Sequence, residues 1–291
     1  MNKNKLRSTL SYWLVLFVMF PLLSFAKQPP IEFVVMIPSY NNAKWCKQNL
    51  ESVFAQTYPH WKIHYINDVS TDNTGQLVEE YIKERGMQHK CTVIHNKTRQ
   101  GAMANWYYNV HKYPAKTIIV NLDGDDFLYN DRVLETLAKI YKNPRVWMTY
   151  GSYVTHPGNI RGKKSAKLPK EVIKKRRFRE HPWRTSHLRT FYAGLFQKIK
   201  KKDFEYNGKF LETTCDLAMM FPMLEMASQG HIYFVEKLMY RYNTINPIGD
   251  CRAKRKMQAA RDRYLRRKSR YRPLKKLFAN TPQKEKQSRA A

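Results

Sequence analysis

A chain of 291 residues with 43% hydrophobic and 13% aromatic side chains can build one large core or two small ones, which excludes a disordered chain. Its net charge of +30, from 53 Lys and Arg against 23 Asp and Glu, implies an anionic partner: a phosphate ligand, a lipid headgroup or nucleic acid. Cys46, Cys91, Cys215 and Cys251 are far apart and lack Cys-x-x-Cys or Cys/His metal spacing, so neither a zinc site nor a disulfide scaffold is indicated.

In chain order, Lys3, Lys5 and Arg7 precede an apolar run from Leu10 to Ala26 that ends in the small-x-small pattern Ser24-Phe25-Ala26. This reads as a signal peptide or signal anchor over residues 1–27, and it places the chain in the secretory pathway or at a membrane. Pro29-Pro30 then marks a linker. Ile31 to Ile37 is a short apolar run ended by Pro38, the pattern of a buried parallel strand. A helix from Lys44 to Gln56 follows, with Trp45, Leu50, Val53 and Phe54 at helical spacing. The alternation continues with strand Trp61 to Ile66, helix Thr74 to Arg85, strand Cys91 to His95, helix Gly101 to His111 and strand Thr117 to Leu122. Strands alternating with helices predict an α/β fold, a mainly parallel central sheet with helices on both faces. Ligands of such sheets bind beyond the carboxyl ends of the strands.

A helix from Asn130 to Tyr141 and an apolar stretch from Val146 to Tyr150 continue the pattern. Residues 155–182 are rich in Lys, Arg, Gly and Pro without periodicity and read as a long basic surface loop. Order resumes near His187, with a helical pattern from Asp216 to Ser228 and a strand from Ile232 to Val235. Beyond Asp250 the chain reads as a basic tail, residues 251–291, low in core-forming residues apart from a helix around Gln258 to Arg267. The tail suits attachment to an anionic membrane surface.

The chemistry concentrates where the apolar strand Ile118-Ile119-Val120-Asn121-Leu122 runs into Asp123-Gly124-Asp125-Asp126. Three adjacent carboxylates repel one another unless a cation joins them. Hard oxygen ligands select Mn²⁺ or Mg²⁺, and such an ion completes its shell with water and substrate phosphates. The bland alternative is a capping cluster for the next helix.

The surrounding residues resemble the family 2 glycosyltransferases, nucleotide-diphospho-sugar transferases of GT-A fold. Four ordered matches carry the resemblance: Val35 to Asn42, Leu50 to Pro59 with its Gln-Thr-Tyr-Pro turn, Ile66 to Thr74, and the acidic cluster. The resemblance implies a GT-A-like domain over residues 31–250, with a nucleotide-sugar-binding half to residue 150 and an acceptor half from 151 to 250. It also implies a metal at Asp123 and Asp125, with Asp126 sharing ligation or touching the sugar, and a nucleotide pocket lined by Pro38, Tyr40 and Asp68. Asn67 departs from the family, which commonly has two consecutive acids where this chain has Asn67-Asp68. Arg99, beside the start of the third helix, is a phosphate candidate. His187 and Arg189 are candidates for diphosphate or acceptor.

On the acceptor side Asp216 matches the acid that begins the family's acceptor helix and is the expected general base, with Glu225 the weaker alternative. The implied reaction is metal-dependent and inverting, from a nucleotide-diphospho-sugar donor, UDP-type, to a glycan, lipid or protein hydroxyl. Two other classes compete. A nucleic-acid-binding protein would explain the charge, but no helix-turn-helix, zinc-finger or RNA-recognition signature is present, so no specific nucleic acid is expected. A transferase-like domain that only binds a sugar nucleotide is disfavoured by the retained acidic cluster.

Overall fold

The computed structural model describes residues 29–248 and 255–278. The leader read in residues 1–27 lies outside the described residues, as do the last residues of the tail. No helix among the described residues is long and apolar enough to cross a membrane.

The first half alternates as the sequence predicts: β1 (Phe33–Ser39), α1 (Cys46–Phe54), β2 (Trp61–Asn67), α2 (Thr74–Glu84), β3 (Cys91–His95), α3 (Ala102–Val110), β4 (Ile118–Asn121), β5 (Phe127–Leu128) and α4 (Val133–Tyr141). The second half holds β6 (Met148–His156), α5 (Lys170–Lys174), β7 (Arg189–Tyr192), α6 (Ala193–Phe196), a small hairpin of β8 (Glu205–Tyr206) and β9 (Lys209–Phe210), α7 (Cys215–Met226), β10 (Ile232–Asn243) and α8 (Arg255–Arg267). One eight-stranded sheet runs in the order β3-β2-β1-β4-β7-β6-β10-β5, so the two halves expected at residue 150 share it.

Successive side chains of a strand point to opposite faces, and β1 divides its apolar residues accordingly. Val34 and Met36 pack with α3 and α7, while Phe33, Val35 and Ile37 pack with α1, α2 and α4. Burial on both faces is what makes β1 and β4 unbroken apolar runs. Parallel pairing of β1 with β2 and β4 brings the ends of all three to one edge. β7 then runs antiparallel between β4 and β6, with Arg189 opposite both Asn121 and Tyr150. An arginine is thereby set beside the acidic end of β4.

The structure revises three boundaries. The helix expected from Asn130 begins at Val133. The strand expected at Ile232 to Val235 continues to Asn243, bulging where it passes Leu238. Residues 155–182 are more than a surface loop: they contain α5, bury Leu168 and Phe178, and return along the bridge between Ser165 and Thr185.

A fourth correction concerns the basic tail, whose described part packs on the domain. Leu265 and Leu277 are buried, and the Leu274 amide donates to the Met226 carbonyl at 2.9 Å. Glu225 anchors this region. Its carboxylate is fully buried and receives Arg179 Nε at 2.6 Å, Arg179 Nη2 at 2.9 Å and the Tyr271 amide at 2.9 Å. Arg179 Nη1 also donates to the Leu265 carbonyl at 2.6 Å. A buried ion pair is tolerable only when its remaining donors and acceptors are satisfied, and here α7, α8 and the 155–182 excursion supply the partners. Glu225 is therefore committed to structure and cannot serve as the alternative base.

Candidate functional site

The loop after β1 is tied to the loop after β2. The Asn41 amide donates to Ser70 Oγ, the Ala43 amide to Asp72 Oδ2, and the Asp68 amide to the Ser39 carbonyl. Asp68 is only 3% exposed. Its Oδ1 accepts from Asn96 Nδ2 at 2.7 Å and from the Gln100 amide at 2.8 Å, and its Oδ2 accepts from the Gly101 amide at 2.8 Å. Asp68 thus braces the turn into α3. Asn67 points the other way, bonding His95 Nδ1 with its amide. Pro38 and Tyr40 are half-buried at the end of β1, and the Arg99 guanidinium lies 3.6 Å from the Tyr40 ring centroid. Pro38, Tyr40, Asp68 and Arg99 therefore lie near one another at the ends of β1 and β2.

Beyond β4 the acidic turn is clamped from several sides. Asn49 Nδ2 donates to the carbonyls of Asp123 and Asp126 at 2.9 and 2.7 Å. Gly124 sits so close to the β1 loop that a Cβ there would stand 2.6 Å from Ser39 Oγ, which requires glycine. Asp126 is buried, with Oδ2 accepting from the Tyr240 hydroxyl and Oδ1 from the Asn243 amide, both at 2.7 Å. Burial raises its carboxyl well above the usual range, and the neighbouring charges of Asp125 and Asp123 push it further. Asp125 Oδ2 accepts from Asn246 Nδ2 at 2.7 Å. Asp123 and Asp125 are both half-buried, the Asp123 side chain 37% exposed.

Among the described residues one group could hold a metal ion: ligand atoms of Asp123, Asp126 and His187 lie within 4.8 Å of one another. His187 is stacked on Tyr240 with centroids 4.4 Å apart, and burial holds its ring neutral, well below the usual histidine range, aided by the charge of Arg189. Arg189 Nη2 lies 3.1 Å from His187 Nδ1. A guanidinium can only donate, so Nδ1 accepts and the proton of the neutral ring belongs on Nε2. A histidine in that tautomer has no lone pair left for a cation.

Arg189 links the two sides of the site. Nε donates to Asn121 Oδ1 at 2.9 Å, Nη2 stands 3.8 Å from Asp123 Oδ2, and Nη1 stands 3.5 Å from Asp216 Oδ2. Asp216 lies in the first turn of α7, whose N-cap is Thr214, so it is not the capping residue itself. Its side chain keeps 30% of its surface exposed. Desolvation raises the Asp216 carboxyl, and Arg189 opposes the rise.

The sequence reading missed Tyr240, Asn121 and Asn49. Tyr240 had a readable signal: Tyr240 and Tyr242 alternate in an apolar segment, which puts both on one face of a strand.

An acidic turn beyond a central strand of a mostly parallel sheet, faced by an acid in the first turn of α7, fits the GT-A class of glycosyltransferase folds that the structural comparisons show. The chain belongs to glycosyl transferase family 2, whose model matches residues 34–204, more than half of its length. Among solved structures it resembles residues 1–349 of TarS from S. aureus in complex with UDP-GlcNAc, at a TM-score of 0.55 and 19% identity over 74% of this chain and 59% of that one. It also resembles the mannosyltransferase PcManGT from Pyrobaculum calidifontis in complex with GDP-Man and Mn²⁺, at a TM-score of 0.55 and 16% identity over 84% of this chain and 67% of that one. Identities this low carry the fold. In sequence the chain is 27% identical over 124 residues to glycosyltransferase GlyG of Streptococcus pneumoniae and 30% identical over 141 residues to hyaluronan synthase of Streptococcus pyogenes. Those stretches cover 42% and 44% of this chain but only 39% and 32% of the relatives.

Proposed function

We propose that the protein is a metal-dependent, inverting glycosyltransferase that moves a sugar from a UDP-type nucleotide donor to an acceptor hydroxyl. The observation that carries this reading is the pair of acids facing Arg189 from opposite sides, Asp123 at the donor edge of the sheet and Asp216 at the start of the acceptor helix. Support for the donor class comes from TarS, solved with UDP-GlcNAc, and from PcManGT, solved with GDP-Man and Mn²⁺.

The residues fit a hard divalent cation, Mn²⁺ or Mg²⁺. Asp123 and Asp125 offer oxygen ligands at the open side of the turn, whereas the buried Asp126 is held by Tyr240 and Asn243. When bound, the cation neutralises charge developing on the departing diphosphate. Tyr40, with Arg99 over its ring, forms the wall for the nucleobase, and Pro38 and Asp68 shape the pocket. Asp216 takes the acceptor proton as the new oxygen–carbon bond forms and the bond to diphosphate breaks. Arg189 favours its ionised form. A membrane-associated location, read from the leader and the basic residues beyond 250, belongs to the same proposal.

The test is a panel of nucleotide sugars scored for thermal stabilisation and for hydrolysis with and without Mn²⁺. A UDP-sugar should do both in a metal-dependent way. If none does either, the transferase reading fails.

A further inference from the structure

Resting on the transferase reading, the structure assigns the acceptor a chemical class: we infer that the acceptor is a phosphate-bearing sugar, bound in a basic cavity beside the site. The cavity, of about 620 Å³, is lined by Arg161, Lys163, Ser165, Ala166, Trp183 and Arg184. It is formed by the excursion between β6 and β7. From Arg161 to Arg184 that excursion carries eleven Lys and Arg against two acids.

Both acids are already engaged elsewhere, Glu171 with Lys175 and Glu180 with Arg270. Arg179, the one buried cation of the stretch, is paired with Glu225. Among the described residues Lys163 and Arg184 have no acidic partner, and Arg161 bonds only Ser152 Oγ and the Glu236 carbonyl. Like charges gathered around a concavity repel one another, and an anion of the cavity's size relieves the repulsion. Trp183 adds a flat apolar wall, fixed edge-on against Phe221 of α7, of the kind on which a sugar ring can lie.

The position of the cavity selects the acceptor over the donor. Gly162 on its wall has no room for a side chain, because a Cβ would stand 2.0 Å from the Tyr153 ring, and Tyr153 in turn meets His187 edge-on at 5.8 Å. Ser165 Oγ donates to the His187 carbonyl at 3.3 Å. The cavity wall thus reaches His187, which Arg189 joins to Asp216, whereas Pro38, Tyr40 and Asp68 lie at the ends of β1 and β2, separated from β6 in the sheet by β4 and β7.

The probe is N-acetylglucosamine linked through pyrophosphate to a short alkyl chain, titrated into the full chain by calorimetry. Its controls are the same sugar on a neutral ether link, sodium pyrophosphate, and UDP with Mn²⁺. The pyrophosphate-linked sugar should bind more tightly than either the neutral analogue or pyrophosphate alone. Its affinity should fall about tenfold or more in Lys163→Glu/Arg184→Glu, both exposed positions, and change little in the remote reversal Lys83→Glu/Lys142→Glu. A long-chain form in phosphatidylcholine vesicles should show the same loss if the phosphate is lipid-borne. Equal binding of the neutral analogue, equal binding of free pyrophosphate, or equal loss in the remote variant each overturns the assignment. UDP titration reads the donor separately: failure of UDP to bind counts against the transferase reading, and loss of the phosphate-sugar response alone counts against this one.

Discussion

Arg189 Nη1 stands 3.5 Å from Asp216 Oδ2, so the general base proposed for the acceptor side shares its cation with Asp123 on the donor side, 3.8 Å from Nη2. Desolvation raises the Asp216 carboxyl and the guanidinium lowers it again. In Arg189→Gln the lowering influence is gone, so the carboxyl stays protonated to a higher pH. The acidic limb of the kcat/KM profile should move upward, with turnover lost more at pH 6 than at pH 8. A uniform loss with an unmoved limb would assign Arg189 to packing alone.

The acidic turn separates two ligand sets. Asp123 and Asp125 are the half-buried pair proposed to hold the cation, whereas ligand atoms of Asp123, Asp126 and His187 lie within 4.8 Å of one another. In Asp125→Ala, Mn²⁺-dependent UDP binding should be lost in a folded protein, while Asp126→Asn should retain it. The reverse result, measured by calorimetry, moves the cation to the Asp126 and His187 side.

Buried charge fixes the third prediction. Arg179 and Glu225 have side chains 4% and 0% exposed, and removing one partner leaves the other buried without its counter-charge. Glu225→Gln should destabilise the fold by roughly 3–5 kcal/mol, as other broken buried pairs do. Truncation after Asp250 removes the Tyr271 amide from Glu225 and the buried Leu265 and Leu277, each side chain worth about 1.5–3 kcal/mol. Both variants should lose melting temperature together. A truncated chain as stable as the full one would return residues 255–278 to the status of an unpacked tail.

The pattern of what the sequence showed has a physical cause. β1 and β4 are buried on both faces, so each is an uninterrupted apolar run that only a parallel strand explains, and the acidic turn follows directly from one of them. β7 is four residues long, begins with Arg189 and owes its place to neighbours on either side, so nothing local announces it. The 155–182 excursion and the tail were hidden by their charge. Arg179 looks like one more member of a basic run, and its partner lies 46 residues away. Leu265 and Leu277, with Tyr264, Tyr271, Leu274 and Phe278, are interleaved with lysines and arginines, which masks the apolar pattern. The pairing of Arg189 with Asp216 was equally invisible, although each residue separately matched the family pattern.

Asp216→Asn separates chemistry from architecture. The carboxylate lies in the first turn of α7, where a negative charge gains about 0.3–1 kcal/mol from the helix dipole, so the neutral isostere should lower the melting temperature only slightly. Thr214, not Asp216, is the N-cap, and the side-chain oxygen of an asparagine can still accept from the Leu217 amide that the carboxylate now bonds. Donor binding should persist, because Tyr40, Asp68 and Asp123 lie on loops after β1, β2 and β4. The acceptor proton, however, loses its nearest base. Removal of a general base typically slows turnover by ~10² to 10⁴-fold. The buried Glu225 cannot substitute, since Arg179 and the Tyr271 amide already hold its carboxylate. With UDP affinity and melting temperature close to those of the unaltered protein, kcat should therefore fall by that factor once a donor and acceptor pair is in hand. Turnover within a few-fold of the unaltered protein would remove Asp216 as the base.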